Sequence, residues 1–175
     1  ASGNLLPGNI RTGVIPVPQA VNNRLINGGP EDAHLRAIEI QRNDSSKLLL
    51  LSYTAHATCL YSRDLELSRD YPGVLVDKLE AHDYDFVMFL AGAVGSHKCA
   101  APKTGWDCVE WMGWELSQAF LNSRDQLIPV TDSTVAMLRV PLELSDPQVK
   151  IASDWKIRSW LFRMAFGEYP AYINA

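Results

Sequence analysis

No stretch of this sequence approaches the ~18 consecutive apolar residues of a membrane span; strongly apolar runs such as Leu48 to Leu51 are far shorter. No block of lysine and arginine is present either. The basic residues are scattered, and a net charge of −4 with a pI near 5.5 gives no electrostatic reason to expect nucleic acid or an anionic membrane as partner. Internal repeats and low-complexity tracts are absent. The opening "ASGNLLPGNIRTG" has no basic region followed by an apolar stretch, so it is not a signal peptide. Neither that opening nor the closing "FGEYPAYINA" reads as a natural terminus, and the expectation is a fragment of a longer chain. The Gly-x-Ser-x-Gly elbow of serine hydrolases is missing from "GAVGSH". Cysteine is sparse: Cys59, Cys99 and Cys108 are an odd set, which leaves at least one thiol unpaired. In an oxidising compartment Cys99 and Cys108 can close the short loop across "AAPKTGWD"; three reduced thiols are the equal alternative.

The 175 residues fit one domain, 1–175, with enough chain to bury a substantial core. The 47% hydrophobic and 21% charged residues are those of an ordinary globular protein. Residues 1 to 30, rich in Gly, Pro and Asn, read as a loop-rich lead-in. "HLRAIEIQ" (34–41) alternates like a half-exposed strand, "RNDSS" supplies a turn, and "KLLLLSYTA" (47–55) reads as a strand covered on both faces. Asp70 fits an N-cap, with Pro72 in the first turn of a helix reaching about Ala81. "DFVMFLAG" (85–92) is a further short strand, and Val109, Met112, Leu116 and Phe120 recur at helical spacing over 108–121. A strand is expected at 133–144 and helix from 145 to 167.

The strand–helix–strand unit at about residues 47–92 is informative. Such units place two parallel strands in one sheet, so both strand C-termini lie on the same edge, where α/β sheets bind ligands. The fold class expected is therefore α/β, with a mixed, largely parallel sheet flanked by helices. His56 and the loop "GAVGSHKC" become neighbours across 40 residues of sequence.

An imidazole at that edge can ligate a metal or move a proton, while a histidine packed at a strand end is the plainer reading of His56. The second loop adds Ser96 and His97 as candidate catalytic groups, together with Lys98 and Cys99. His56, Cys59, His97 and Cys99 are a conceivable tetrahedral zinc set, although H-x-x-C and H-x-C are not standard zinc spacings. The backbone N–H groups of "GAVG" are candidates to meet an anion or a carbonyl oxygen, and a tight turn is the alternative. Asp64 and Glu66 read as solvated loop charges, and the five tryptophans as core.

Four segments in order, "NNRLINGGPEDAHLRAIEI" (22–40), "LLLLSYTAHATCL" (48–60), "LELSRDYPGVLVDKLEA" (65–81) and "FVMFLAGAVGSHKC" (86–99), resemble the N-terminal catalytic domain of the neutral/alkaline non-lysosomal ceramidase family. The resemblance covers residues 22–99 well and the rest loosely. It implies a secreted or periplasmic zinc-dependent amidohydrolase that cleaves the N-acyl bond of a ceramide-like lipid, or a related amide or ester, through a metal-activated water. The His-x-Thr step, His56-Ala57-Thr58, would make His56 a zinc ligand. The remaining ligands expected of the family are absent from this chain, so the rest of a longer chain is the implied partner. Gly95 is followed by Ser96-His97-Lys98 where the family reads Gly-Asp-Val-Ser, so the family serine falls near Lys98 and its role does not carry over. That departure favours the alternative, a catalytically inactive relative serving as a binding module.

Overall fold

The computed structural model describes residues 5–61, 64–132, 134, 136–141, 149–152 and 155–157. Contacts divide the chain into two compact units, 1–133 and 134–175.

The first unit is built on a five-stranded sheet. Strand β1 (Gly8–Pro16) opens it, followed by a 3-10 turn (Pro18–Ala20) and the short β2 (Val21–Asn23). Strand β1 lies in the segment read as a loop-rich lead-in. Its Gly, Asn and Pro are poor strand formers, yet it pairs with β3 (His34–Arg42) along its whole length, from Gly8 opposite Arg42 to Pro16 opposite His34. The ladder, a tertiary feature, overrides local propensity. Strands β3 and β4 (Lys47–Tyr53) form a hairpin. Its turn holds Ser45 at φ 71°, and the Asp44 carboxylate accepts from the Ser46 N–H and hydroxyl.

From β4 the chain crosses through helix α1 (Asp70–Glu80) into β5 (Phe86–Ala91), which lies parallel to β4 from Leu48–Phe86 to Tyr53–Ala91. Strand β6 (His97–Cys99), helix α2 (Trp106–Ser123) and β7 (Ile128–Pro129) follow, and the sheet order is β5-β4-β3-β1-β7. The α/β class, the mixed sheet and the strand–helix–strand unit are as expected. The sheet is not largely parallel, however: β4–β5 is its parallel pair, and β1–β3, β3–β4 and β1–β7 are antiparallel. The turn at 43–46 is too short for a parallel crossover, which needs a dozen or more residues.

Both helices cover one sheet face. Leu35, Ala37, Leu49, Leu51, Tyr53 and Val87 point into that layer and meet Leu75 and Leu79 of α1 and Met112, Leu116 and Phe120 of α2. The buried hydroxyls are satisfied: Tyr53 donates to the Val17 carbonyl at 2.7 Å and Tyr71 to the Ala55 carbonyl at 2.5 Å. The helices approach closely at Gly113, where an added Cβ would stand 2.5 Å from Val74 Cγ1 and 3.0 Å from the Leu75 nitrogen. On the other sheet face Ile10, Val14, Ile38, Phe86, Met88 and Leu90 are exposed, so β4 has a helical cover on one side among the described residues.

Helix α1 begins at Asp70 itself, one residue later in role than the expected cap: Arg69 is the N-cap and its side chain makes no capping bond. The Asp70 carboxylate still accepts the Tyr71 N–H at 2.7 Å and also the Leu60 N–H, with Asp70 at φ 52°. Trp111 is half-buried, whereas Trp106 and Trp114 are exposed rather than in the core.

In the second unit, Thr134 and Ala136–Pro141 have no regular structure where a strand was expected. Residues 149–152 and 155–157, expected as helix, form an antiparallel hairpin, β8 with β9. The rest of 145–167 lies outside the described residues.

Candidate functional site

The crossover brings the ends of β4 and β5 to one edge, as its topology requires. His56 pairs through its backbone with Lys98, and the Cys99 thiol donates to the His56 carbonyl at 3.3 Å. The two loops meet there through a residue that sequence reasoning passed over. Arg24, just beyond β2, donates its backbone N–H to the Ser96 carbonyl and its Nε–H to the Gly95 carbonyl, both at 2.8 Å. Its Nη1 stands 3.4 Å from His56 Nδ1. The one available signal was its place in the segment 22–40, which carried the family resemblance without any role assigned to Arg24. The "GAVG" loop thus turns the Gly95 carbonyl oxygen toward a cation. Two of its N–H groups are used on nearby carbonyls, Gly92 to Tyr53 and Val94 to Gly92, and the His97 N–H donates back to Val94.

His56 is half-buried, while Arg24 and Lys98 are exposed. With a guanidinium donor facing Nδ1, that nitrogen is an acceptor, and a neutral His56 ring carries its proton on Nε2. The edge is therefore one imidazole beside two cationic side chains.

Ser96 and His97 sit side by side, with Ser96 Oγ 3.1 Å from His97 Nδ1. His97 is buried, its Nε2 accepts the Asp32 N–H at 3.0 Å, and its Nδ1 lies 3.0 Å from the Ala93 carbonyl, to which it donates. The ring has no lone pair left to take a proton from the Ser96 hydroxyl, so in this arrangement the pair orders the loop.

The tetrahedral set of His56, Cys59, His97 and Cys99 does not assemble. Cys59 is disulfide-bonded to Cys108 rather than Cys108 to Cys99, which leaves Cys99 as the free thiol. Burial pushes the Cys99 thiol up to about 12. Asp64 takes up a local loop role, accepting the Tyr61 N–H, and Glu66 is exposed.

At the opposite end of the sheet a second polar cluster is buried. Glu39, 2% exposed, faces into the helical layer and pairs with Arg11 and Arg124. Tyr84 donates its hydroxyl to the same carboxylate, Arg124 lies over the Tyr84 ring, and Asp83 links Arg124 to Lys47. Burial raises the Glu39 pKa, but the Tyr84 hydrogen bond and Arg11 together outweigh it and hold the carboxyl below its ordinary value.

A mixed sheet with helices on one face and a histidine-bearing edge at its parallel pair defines a layered α/β protein with its candidate site at strand C-termini. Among solved structures this fold is found in neutral ceramidases. A ceramidase complexed with C2 superposes with a TM-score of 0.62 at 16% identity, over 72% of this chain and 23% of that one. The neutral ceramidase from Pseudomonas aeruginosa does so with a TM-score of 0.60, again at 16% identity, over 72% of this chain and 24% of that one. The likeness is one of fold, and this chain spans about a quarter of the length of those proteins. No family model matches the sequence, and no curated protein matches it in a sequence search.

Proposed function

We propose that this chain is part of a ceramidase-like hydrolase that cleaves the N-acyl bond of a ceramide-like lipid or a related amide or ester, with His56 as its contribution to the site. The observation that carries the reading is the position of His56 at the C-terminal edge of the parallel pair, in a fold shared with neutral ceramidases. Secretion or export to the periplasm belongs to the same reading and agrees with the Cys59–Cys108 disulfide, a bond of oxidising compartments. No helix among the described residues is long and apolar enough to cross a membrane.

Zinc is the cofactor this reading implies, and the residues around His56 do not fit it by themselves. They offer one imidazole, whose Nδ1 faces the Arg24 guanidinium, while zinc sites use three or four N, O or S donors. His56 would therefore be one ligand of a set completed from outside the described residues, and Arg24 must move aside when the ring changes tautomer to ligate through Nε2. The same contact favours a second reading, a catalytically inactive binding module whose Arg24, His56 and Lys98 hold a carbonyl or anionic group.

The test is the zinc content of the intact protein, purified without reductant, for wild type and His56→Ala, alongside fatty-acid release from an N-acyl lipid. Near-stoichiometric zinc and turnover that both vanish in the variant support the hydrolase. Neither metal nor turnover after zinc reconstitution sinks it and leaves the binding module.

A further inference from the structure

Three sulfurs converge beneath the His56 backbone. Cys59 lies three residues past His56, Cys99 ends β6 beside the His56 partner Lys98, and Cys108 sits in the first turn of α2. All three Sγ atoms lie within 4.8 Å of one another. Cys59 and Cys108 are buried and Cys99 is half-buried, so the cluster reaches toward solvent through one corner. A disulfide needs two of these residues; the third corner would be filled equally well by any small apolar side chain. Three thiolates around a zinc-sized ion at about 2.3 Å each stand roughly 3.8 Å apart, which lies inside the spacing found here. An all-sulfur donor set selects zinc, copper(I) and other soft ions over magnesium and calcium.

We propose that Cys59, Cys99 and Cys108 form a thiolate site for one soft metal ion when the Cys59–Cys108 disulfide is reduced, and that the disulfide is the closed form of this site. The opening step balances with a phosphine as reductant. The phosphine takes the oxygen of one water and becomes a phosphine oxide, the S–S bond breaks, and each sulfur gains one electron and one proton. Metal binding then releases the three thiol protons to solvent as three metal–sulfur bonds form. Three protein donors leave a tetrahedral ion with one open position. This inference is independent of the hydrolase reading, because it neither uses His56 as a ligand nor requires turnover.

The test uses the full chain, reduced with a water-soluble phosphine, desalted without oxygen and titrated with cadmium chloride, with the sulfur-to-cadmium charge-transfer absorption as readout. Expected are one cadmium per chain in wild type and in His56→Ala, competition by zinc, and no band before reduction. Losing a direct ligand should cost at least as much as the 10–100-fold typical of an outer-shell partner, so Cys99→Ser should bind about 10-fold more weakly or worse. The proposal is overturned by a reduced wild type that stays folded by circular dichroism and shows no band, or by an undiminished band in Cys99→Ser. It is also overturned if reduction unfolds the chain and cadmium does not restore it, since the sulfurs are then not held together.

Discussion

The two ends of strand β4 carry polar clusters of opposite character. At its start, the Glu39 carboxylate is enclosed by Arg11, Arg124 and Tyr84, and Arg124 is itself tied to Asp83 and Lys47. At its far end His56 has one long contact to Arg24 and is half open to solvent. Complete mutual satisfaction marks the first as a fold-holding element, since a buried charge is tolerable only with partners. Incomplete satisfaction at a strand edge marks the second as a place where something else can bind.

The contrast can be tested by breaking each end in turn. The largest effect is expected at the closed end. Glu39→Leu strands Arg11 and the buried Tyr84 hydroxyl, removes one of the two carboxylates on Arg124, and should destabilise by about 3–5 kcal/mol, read from the denaturant midpoint, with zinc content unchanged. A loss under about 1 kcal/mol would mean that the cluster behaves as a surface ion pair and that the contrast fails. Acid should act on the same end. The folded pKa of Glu39 is depressed, so its contribution is fully present above the ordinary glutamate value of about 4.3 and is lost as pH falls through that value and then through the folded one. The melting temperature should drop with decreasing pH in that window, and Glu39→Gln should flatten part of the slope; parallel curves would remove Glu39 from the acid response.

At the open end Arg24→Ala should cost about 1 kcal/mol, because it frees the exposed Gly95 carbonyl, which water can reach, and leaves the backbone bond to Ser96 in place, while raising zinc uptake at His56 by relieving the opposing donor. Unchanged zinc affinity would mean that the guanidinium does not control the ring. The smallest effect on stability is expected for His56→Ala, within about 0.5 kcal/mol, judged by its melting temperature. A fall of several degrees would show that the ring supports the fold.

The meeting of His56 with the loop after β5 was legible in the sequence, because it follows from crossover topology and two short apolar strands. Strand β1 was not: its nine residues are strand-like through their pairing with β3, which is set far away in sequence. Alternation in "HLRAIEIQ" predicted a strand correctly but not its inward side. Glu39 points in with Leu35 and Ala37 while Ile38 is exposed, since the distant Arg11, Tyr84 and Arg124 make a carboxylate acceptable there. Cysteine pairing was equally hidden. Cys59 and Cys108 are 49 residues apart and meet only because α2 packs back over α1.

That packing gives Gly113 a role beyond its own contact. Cys108 lies on the same helix, little more than one turn before the point where α2 rests on Val74 and Leu75. The absence of a side chain at Gly113 therefore works as a spacer of zero thickness: it sets how far the whole rod stands off its neighbour, and with it where a sulfur at the rod's tip comes to lie. A methyl group there would act as a shim, lifting the tip away from Cys59 and Cys99 and detuning a cluster that it never touches.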